Sequence, residues 1–192
     1  MKPGNIDQII DTVFSLYERY GKADYIGELV SQIEHMSQAA ALAQNEGYDD
    51  EVILAAFFHD IGHLFVNIAD EETMDGFGRM EHERIGADFL LDLGFSDRIA
   101  KLVQSHVTAK RYLTFKYPEY YEQLSQASKA TLVFQGGVMD EEEAQQFEQD
   151  EERELMIKLR NWDELAKEVD IPVNNIDELK LIARRHLENR LI

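Results

Sequence analysis

The chain has 192 residues and is 44% hydrophobic, which gives one folded domain with a substantial core rather than two domains or a disordered tail. Its 38 acidic residues against 19 basic ones leave a net charge of −19, so nucleic acid and acidic membrane surfaces are repelled. It contains no cysteine, which excludes disulfides, thiolate metal sites and cysteine nucleophiles.

Helices follow one another along the chain and no segment reads as a strand. Ile9, Ile10, Val13, Phe14 and Tyr17 recur at helical spacing over residues 6–20, and Gly21 ends that helix. A loop at 22–29 holds Tyr25, Gly27 and Glu28. Ser31 caps a helix running to about Asn45, with Glu34 completing a capping box. Asp50 caps the next, 51–63, whose middle from Val52 to Phe58 is apolar on every side and therefore buried. Residues 64–79, rich in Asp and Gly, form a loop. Further helices are predicted over 80–93, 96–109, 125–134, 141–147, 151–169 and 176–189, punctuated by Pro118, Gly136, Gly137 and Pro172. The acidic stretch 141–154 reads as a solvated face.

The expected architecture is all-α, a single-domain helical bundle over 1–192. Its core lies at about 30–170, with helices 6–20 and 176–189 packed on it. No apolar run reaches the roughly 18–20 residues that cross a bilayer, and the first residues lack the apolar segment of a signal peptide. A cytoplasmic protein with no membrane association and no obligate protein partner is expected.

The histidines carry the chemistry. His59 and Asp60 stand at the end of the buried helix, where a carboxylate is costly unless paired or metal-bound. His63 follows one turn later on the same helical face. His35 lies mid-helix upstream, and His82 and His106 lie in helices downstream. Imidazole and carboxylate donors together suit zinc, iron, nickel or manganese. A last acidic ligand is expected far downstream. Asp163 lies on or beside the apolar stripe set by Met156 and Leu159, whereas Asp140, Asp150 and Asp170 fall in loops or at helix ends. Lys110, four residues after His106, and Arg160, three before Asp163, turn cations toward the same place. His186 reads as structural or exposed.

His35, the His59-Asp60 doublet and Asp163 resemble the signature of the HD-domain superfamily. His82 and His106 match the positions that supply a second metal in its dinuclear members. Over most of its length the chain is similar to one branch, the mixed-valent diiron oxygenases of the PhnZ/TmpB phosphonate-cleaving type. The segments 25–35, 59–63, 81–87, 106–113, 135–137 and 160–163 carry this likeness.

The resemblance implies an HD-domain bundle holding two Fe ions, Fe(II)/Fe(III), with O2 as cosubstrate. One iron would take His35, His59 and Asp163, and the other His82 and His106, with Asp60 bridging them. Tyr25 corresponds to a lid tyrosine that occupies the open iron when substrate is absent. Glu28 corresponds to the residue that receives the substrate's cationic nitrogen. His63, Lys110, Ser128 and Arg160 correspond to groups around the phosphonate, and Gln32 is placed to orient lid or substrate. The implied reaction cleaves the C–P bond of a small aminophosphonate, turning 2-amino-1-hydroxyethylphosphonate into glycine and phosphate. The N-trimethylated analogue, giving glycine betaine, would need an aromatic cage, for which Tyr112, Phe115 and Tyr117 are candidates. Two other readings compete. One is a metal-dependent phosphohydrolase using a metal-bound hydroxide without redox chemistry. The other is a metal-dependent binding module without turnover. Tyr25 and Glu28 favour the oxygenase, because a hydrolase has no use for a phenol able to ligate iron.

Overall fold

The computed structural model of the chain describes residues 6–25, 27–65 and 73–190. Ile26, and the part of the expected 64–79 loop at 66–72, lie outside the described residues. Among those described there are ten α-helices, one 3-10 turn and no strand beyond two isolated bridges. The helices are α1 (Ile6–Tyr20), α2 (Gln32–Asn45), α3 (Asp50–Phe58), α4 (His82–Asp92), α5 (Asp97–Lys116), α6 (Pro118–Gln123), α7 (Gln126–Phe134), α8 (Glu141–Glu148), α9 (Arg153–Leu165) and α10 (Ile176–Arg190). The molecule is an all-α bundle.

α3 is the centre of it. Val52 through Phe58 are all buried, as a helix apolar on every side requires. α2, α5 and α10 pack around α3, α9 lies against α2 and α5, and α1 pairs with α10. The aromatic seam of Phe14, Tyr17, Phe57 and Phe58 joins α1 to α3, with Tyr17 and Phe57 stacked at 4.4 Å. α2 opens as its sequence demands: the Ser31 side chain accepts from Glu34 N, and the Glu34 carboxylate accepts from Ser31 N at 2.7 Å.

Several expectations need correction. The helix expected over 51–63 starts one residue earlier, capped by Asp49, and ends at Phe58. His59 keeps helical angles, but Asp60 turns to φ −106° and ψ 13°, and a 3-10 turn follows at Ile61–Leu64. His63 is therefore not on the face of His59, because the tighter winding turns it toward α4. α5 runs seven residues beyond 109, as no Pro or Gly stops it before Pro118. Pro118 then opens α6, where its missing N–H costs nothing at the first helical turn. α9 covers 153–165 rather than 151–169, because the Ala166 backbone leaves the helical region.

Half of the acidic stretch 141–154 is exposed, and several of its carboxylates are paired. Glu143 meets Arg111 at 2.7 Å, Glu148 meets Lys116 at 2.8 Å, and Glu152 meets Arg98 at 2.8 Å. His186 is buried, stacks on Phe95, and accepts from Ser96 N at 3.3 Å, a structural role. No helix among the described residues is long and apolar enough to cross a membrane.

Candidate metal centre

Six side chains from five parts of the chain converge in the core: His35 of α2, His59 and Asp60 after α3, His82 of α4, His106 of α5 and Asp163 of α9. All are at most 3% exposed. A close backbone approach brings α4 in. Gly62 lies so near α4 that a Cβ there would stand 2.0 Å from the His82 carbonyl oxygen.

The imidazoles share one orientation. Nδ1 donates to a backbone carbonyl in each: His35 to Ala166 at 2.9 Å, His59 to Ala56 at 2.8 Å, His82 to Arg79 at 3.2 Å and His106 to Val103 at 2.7 Å. These bonds fix the tautomer and turn every Nε2 inward. There the Nε2 atoms meet in pairs, His35 with His59 at 3.0 Å and His82 with His106 at 3.0 Å. In the neutral rings each pair would set two lone pairs against each other. Only a proton or a metal ion between them makes that arrangement favourable.

The Asp60 carboxylate stands between the pairs and gives one oxygen to each. Oδ2 is 3.5 Å from His35 Nε2 and 3.4 Å from His59 Nε2, whereas Oδ1 is 3.3 Å from both His82 Nε2 and His106 Nε2. Asp163 Oδ1 lies 3.3 Å from His35 Nε2, is buried, and accepts no hydrogen bond. Two donors at right angles around an ion, each about 2.1 Å from it, lie about 3 Å apart. The spacings found here suit a pair of ions, and the unsatisfied oxygen and facing lone pairs are what such ions would satisfy.

Charge is tightly coupled in this cluster. Burial alone would raise Asp60 and Asp163. The His59 imidazolium and the imidazole hydrogen bonds outweigh it for Asp60, and Arg160 with His35 and His59 does so for Asp163. Both carboxylates are held well below their usual range. Burial lowers His59, but Asp60 and Asp163 overcome it and lift its pKa to about 10. Without metal, protons therefore occupy part of the space that ions would fill.

His63 is built differently. Its Nδ1 accepts from Arg79 N at 3.2 Å, so in the neutral ring the proton sits on Nε2. Burial, then the neighbouring His82, hold its pKa well below the usual value, and its ring stacks on His82 at 3.9 Å. It faces the Asp60–His82 side of the centre, with one ring nitrogen within 4.8 Å of a ligand atom on each.

A pocket opens over the metal centre. Its lining includes Tyr25, Glu28, Gln32, His63, Lys110, Ser128 and Arg160, so every substrate-side residue expected from the sequence is present. Tyr25 sits on a loop tied at its base by Tyr25 N to Val30 O and Gln32 N to Ala23 O, both 2.9 Å. The ring stacks on His35 at 4.0 Å, with its hydroxyl within hydrogen-bonding reach of Asp60. Burial, then Asp60 and Asp163, raise its pKa well above that of a free phenol. Lys110 is buried, with Nζ donating to Thr131 Oγ1 and Gln135 Oε1 at 2.8 Å each. Arg160 is buried too; it pairs with Asp163 and Glu164, and its Nε donates to the Tyr120 hydroxyl at 2.8 Å. Gln32 is buried, with an amide oxygen that accepts no hydrogen bond.

The three candidates for an aromatic cage lie elsewhere. Tyr112, Phe115 and Tyr117 do not line the pocket: Tyr112 packs on Phe147 and donates to Glu148, and Tyr117 is exposed. The sequence reading missed Thr131, Gln135 and Tyr120, which hold Lys110 and Arg160, and Lys167, which pairs with Glu28 at 3.1 Å.

Residues 32–131, just over half of the chain, match the HD domain family. The chain belongs to the HD-domain family. An uncharacterised protein of Acanthamoeba polyphaga mimivirus is 44% identical to it over 176 residues, 90% of this chain and 80% of that one. The [1-hydroxy-2-(trimethylamino)ethyl]phosphonate dioxygenase (glycine-betaine-forming) of Leisingera caerulea is 38% identical over 167 residues, 87% of this chain and 84% of that enzyme. The hydroxymethylphosphonate dioxygenase of Gimesia maris is 35% identical over 169 residues, 88% and 83% of the two chains. This kinship places the HD-domain protein among the HD oxygenases.

Proposed function

We propose that this HD-domain oxygenase holds two iron ions, mixed-valent Fe(II)/Fe(III), and uses O2 to cleave the C–P bond of a 1-hydroxyphosphonate. The observation that carries the reading is the Asp60 carboxylate set between two facing imidazole pairs, with the Tyr25 phenol closed over them. His35, His59 and Asp163 would hold one ion, His82 and His106 the other, and Asp60 both. When bound, the metal pair supplies the redox chemistry with O2. The stoichiometry closes without a further reductant: the C–P bond and the C1–H bond break, C1 becomes a carboxylate, phosphorus leaves as phosphate, and one O2 accepts the four electrons and supplies both added oxygen atoms.

The chain's own groups bind and orient. Lys110, Arg160, Ser128 and the His63 Nε2–H converge on one pocket, and together they can hold the phosphonate oxygens. Arg160, and Lys110 once it gains a proton beside the bound phosphonate, supply positive charge locally in a protein of net charge −19, where the outer surface would otherwise repel a dianion. Tyr25 covers the centre and keeps water from it until a substrate moves the loop aside. With 2-amino-1-hydroxyethylphosphonate the products are glycine and phosphate, and with the trimethylated analogue glycine betaine and phosphate.

Tyr25 separates this reading from a phosphohydrolase. Protein loaded with iron in air is expected to carry a visible tyrosinate-to-iron band that substrate removes and Tyr25→Phe lacks. It is also expected to take up one O2 for each phosphate released from 1-hydroxyphosphonates. A colourless protein that hydrolyses phosphate esters with zinc or manganese, without consuming O2, overturns the proposal.

A further inference from the structure

The reaction above fixes what happens at C1 and leaves open what C1 carries besides its hydroxyl and phosphonate groups. We infer that Lys167 already neutralises the carboxylate with which a cationic substituent would pair, and that this chain selects 1-hydroxyphosphonates without a positively charged nitrogen. The inference rests on the oxygenase reading and names its substrate class.

Glu28 is the carboxylate at which an ammonium would be received, since it lines the pocket on the Tyr25 loop. In the folded chain that carboxylate is taken. Lys167 Nζ is 3.1 Å from Glu28 Oε1 and 3.4 Å from Glu164 Oε2, and Glu164 pairs in turn with Arg160. The Lys167 and Glu28 side chains are 15% and 17% exposed, so the pair is largely withdrawn from water. An incoming ammonium would meet a carboxylate that Lys167 has already neutralised, and would stand close to that lysine. Like charges so placed repel far more strongly than they do in bulk solvent.

The loop has little room to accommodate both cations by shifting toward α7. Gly27, at φ +83°, lies so close to α7 that a Cβ on it would stand 2.6 Å from that of Ala127. A quaternary nitrogen fares no better than a primary one. Among the described residues, the Phe and Tyr rings lining the pocket are Tyr25, already stacked on His35, and Phe77. A hydrogen or an uncharged group on C1 asks nothing of Glu28 and leaves the Glu28–Lys167–Glu164 chain intact.

The test compares hydroxymethylphosphonate, 2-amino-1-hydroxyethylphosphonate and its N-trimethyl analogue on the iron-loaded enzyme. Dissociation constants are measured calorimetrically without O2, and kcat/KM is measured from phosphate release with O2. The natural chain is expected to favour hydroxymethylphosphonate by about tenfold or more in both. Lys167→Met frees Glu28, so both cationic compounds are expected to improve about tenfold, with hydroxymethylphosphonate changed by less than about twofold. Lys167→Arg is expected to keep the natural order. A natural chain that prefers a cationic compound, or a Lys167→Met variant with unchanged order, overturns the inference while leaving C–P cleavage standing. Inertness toward all three compounds removes the proposed function and the inference with it.

Discussion

Lys110 holds an amine where an ammonium is expensive. Its two hydrogen-bond partners, Thr131 and Gln135, are neutral, and burial, then Arg160, push its pKa down to about 6 while Asp163 and Asp60 only partly restore it. Near pH 7.5 the free protein therefore carries mostly the neutral amine. A phosphonate dianion beside it favours the ammonium, so binding takes up a proton. The free protein lacks that proton above about pH 6, so affinity falls as pH rises from there toward the bound-state pKa. Calorimetric titration without O2, in buffers of different ionisation enthalpy, is expected to show uptake of up to about one proton. In Lys110→Met that uptake disappears and affinity drops by about 10- to 100-fold. The same shift acts on folding. An unfolded lysine titrates near about 10.4, so between about 6 and that value the unfolded chain holds one proton more, and this group's contribution to stability rises with pH.

At the scale of elements, the centre depends on how α4 crosses the turn after α3. Gly62→Ala puts a methyl group 2.0 Å from the His82 carbonyl, and on the same seam a Cβ on Gly86 of α4 would stand 2.9 Å from Ile61 Cγ2 and 3.3 Å from Gly62 N. Neither backbone can yield without moving His82 away from Asp60. The variant is expected to lose about 2 kcal/mol or more of stability, as overpacked cores do. It should also retain about half the metal, with the His35–His59–Asp163 side kept, which chemical denaturation and metal analysis would check. The sequence revealed much of this level. Ser31 and Glu34 announce the start of α2, and the apolar run from Val52 to Phe58 announces a buried helix, because capping and burial are local properties. The break at Asp60 was hidden, since nothing in the spacing of His59 and His63 distinguishes four residues of α-helix from a 3-10 turn. α6 was hidden because Pro118 reads equally as a stop and as a first helical residue. The convergence of His35, His59, Asp60, His82, His106 and Asp163 was legible through residue type and order. Lys167 was not: a lysine just past a helix end ordinarily complements the helix dipole, and its partner Glu28 lies far away in the chain.

Across the whole molecule, the metal ions would tie together α2, the end of α3, α4, α5 and α9, so metal content and global stability belong to one equilibrium. Metal-free, the centre relies on protons. His59 titrates near 10 in the folded chain against about 6.5 unfolded. Its contribution is complete below the lower value and is lost as pH rises through the higher one. Asp60 and Asp163 work in the opposite sense: their folded pKa values are depressed, so their contribution is present above the unfolded value of about 3.9 and is lost as pH falls through the folded one. Ions must displace the imidazole protons, so metal uptake releases protons and weakens in acid. Removing metal with a chelator at pH 7 is expected to lower Tm by about 5–10 °C, the effect of an ion held near a hundredfold above its dissociation constant in a protein of this size. Proton release on reloading should be visible with an indicator dye in weak buffer. The gap in Tm between loaded and stripped protein should narrow from pH 8 to pH 6, because protons compete for His59 and His35 over that range. A gap that stayed constant, with no protons released, would mean that the ions bind elsewhere than between the facing imidazoles.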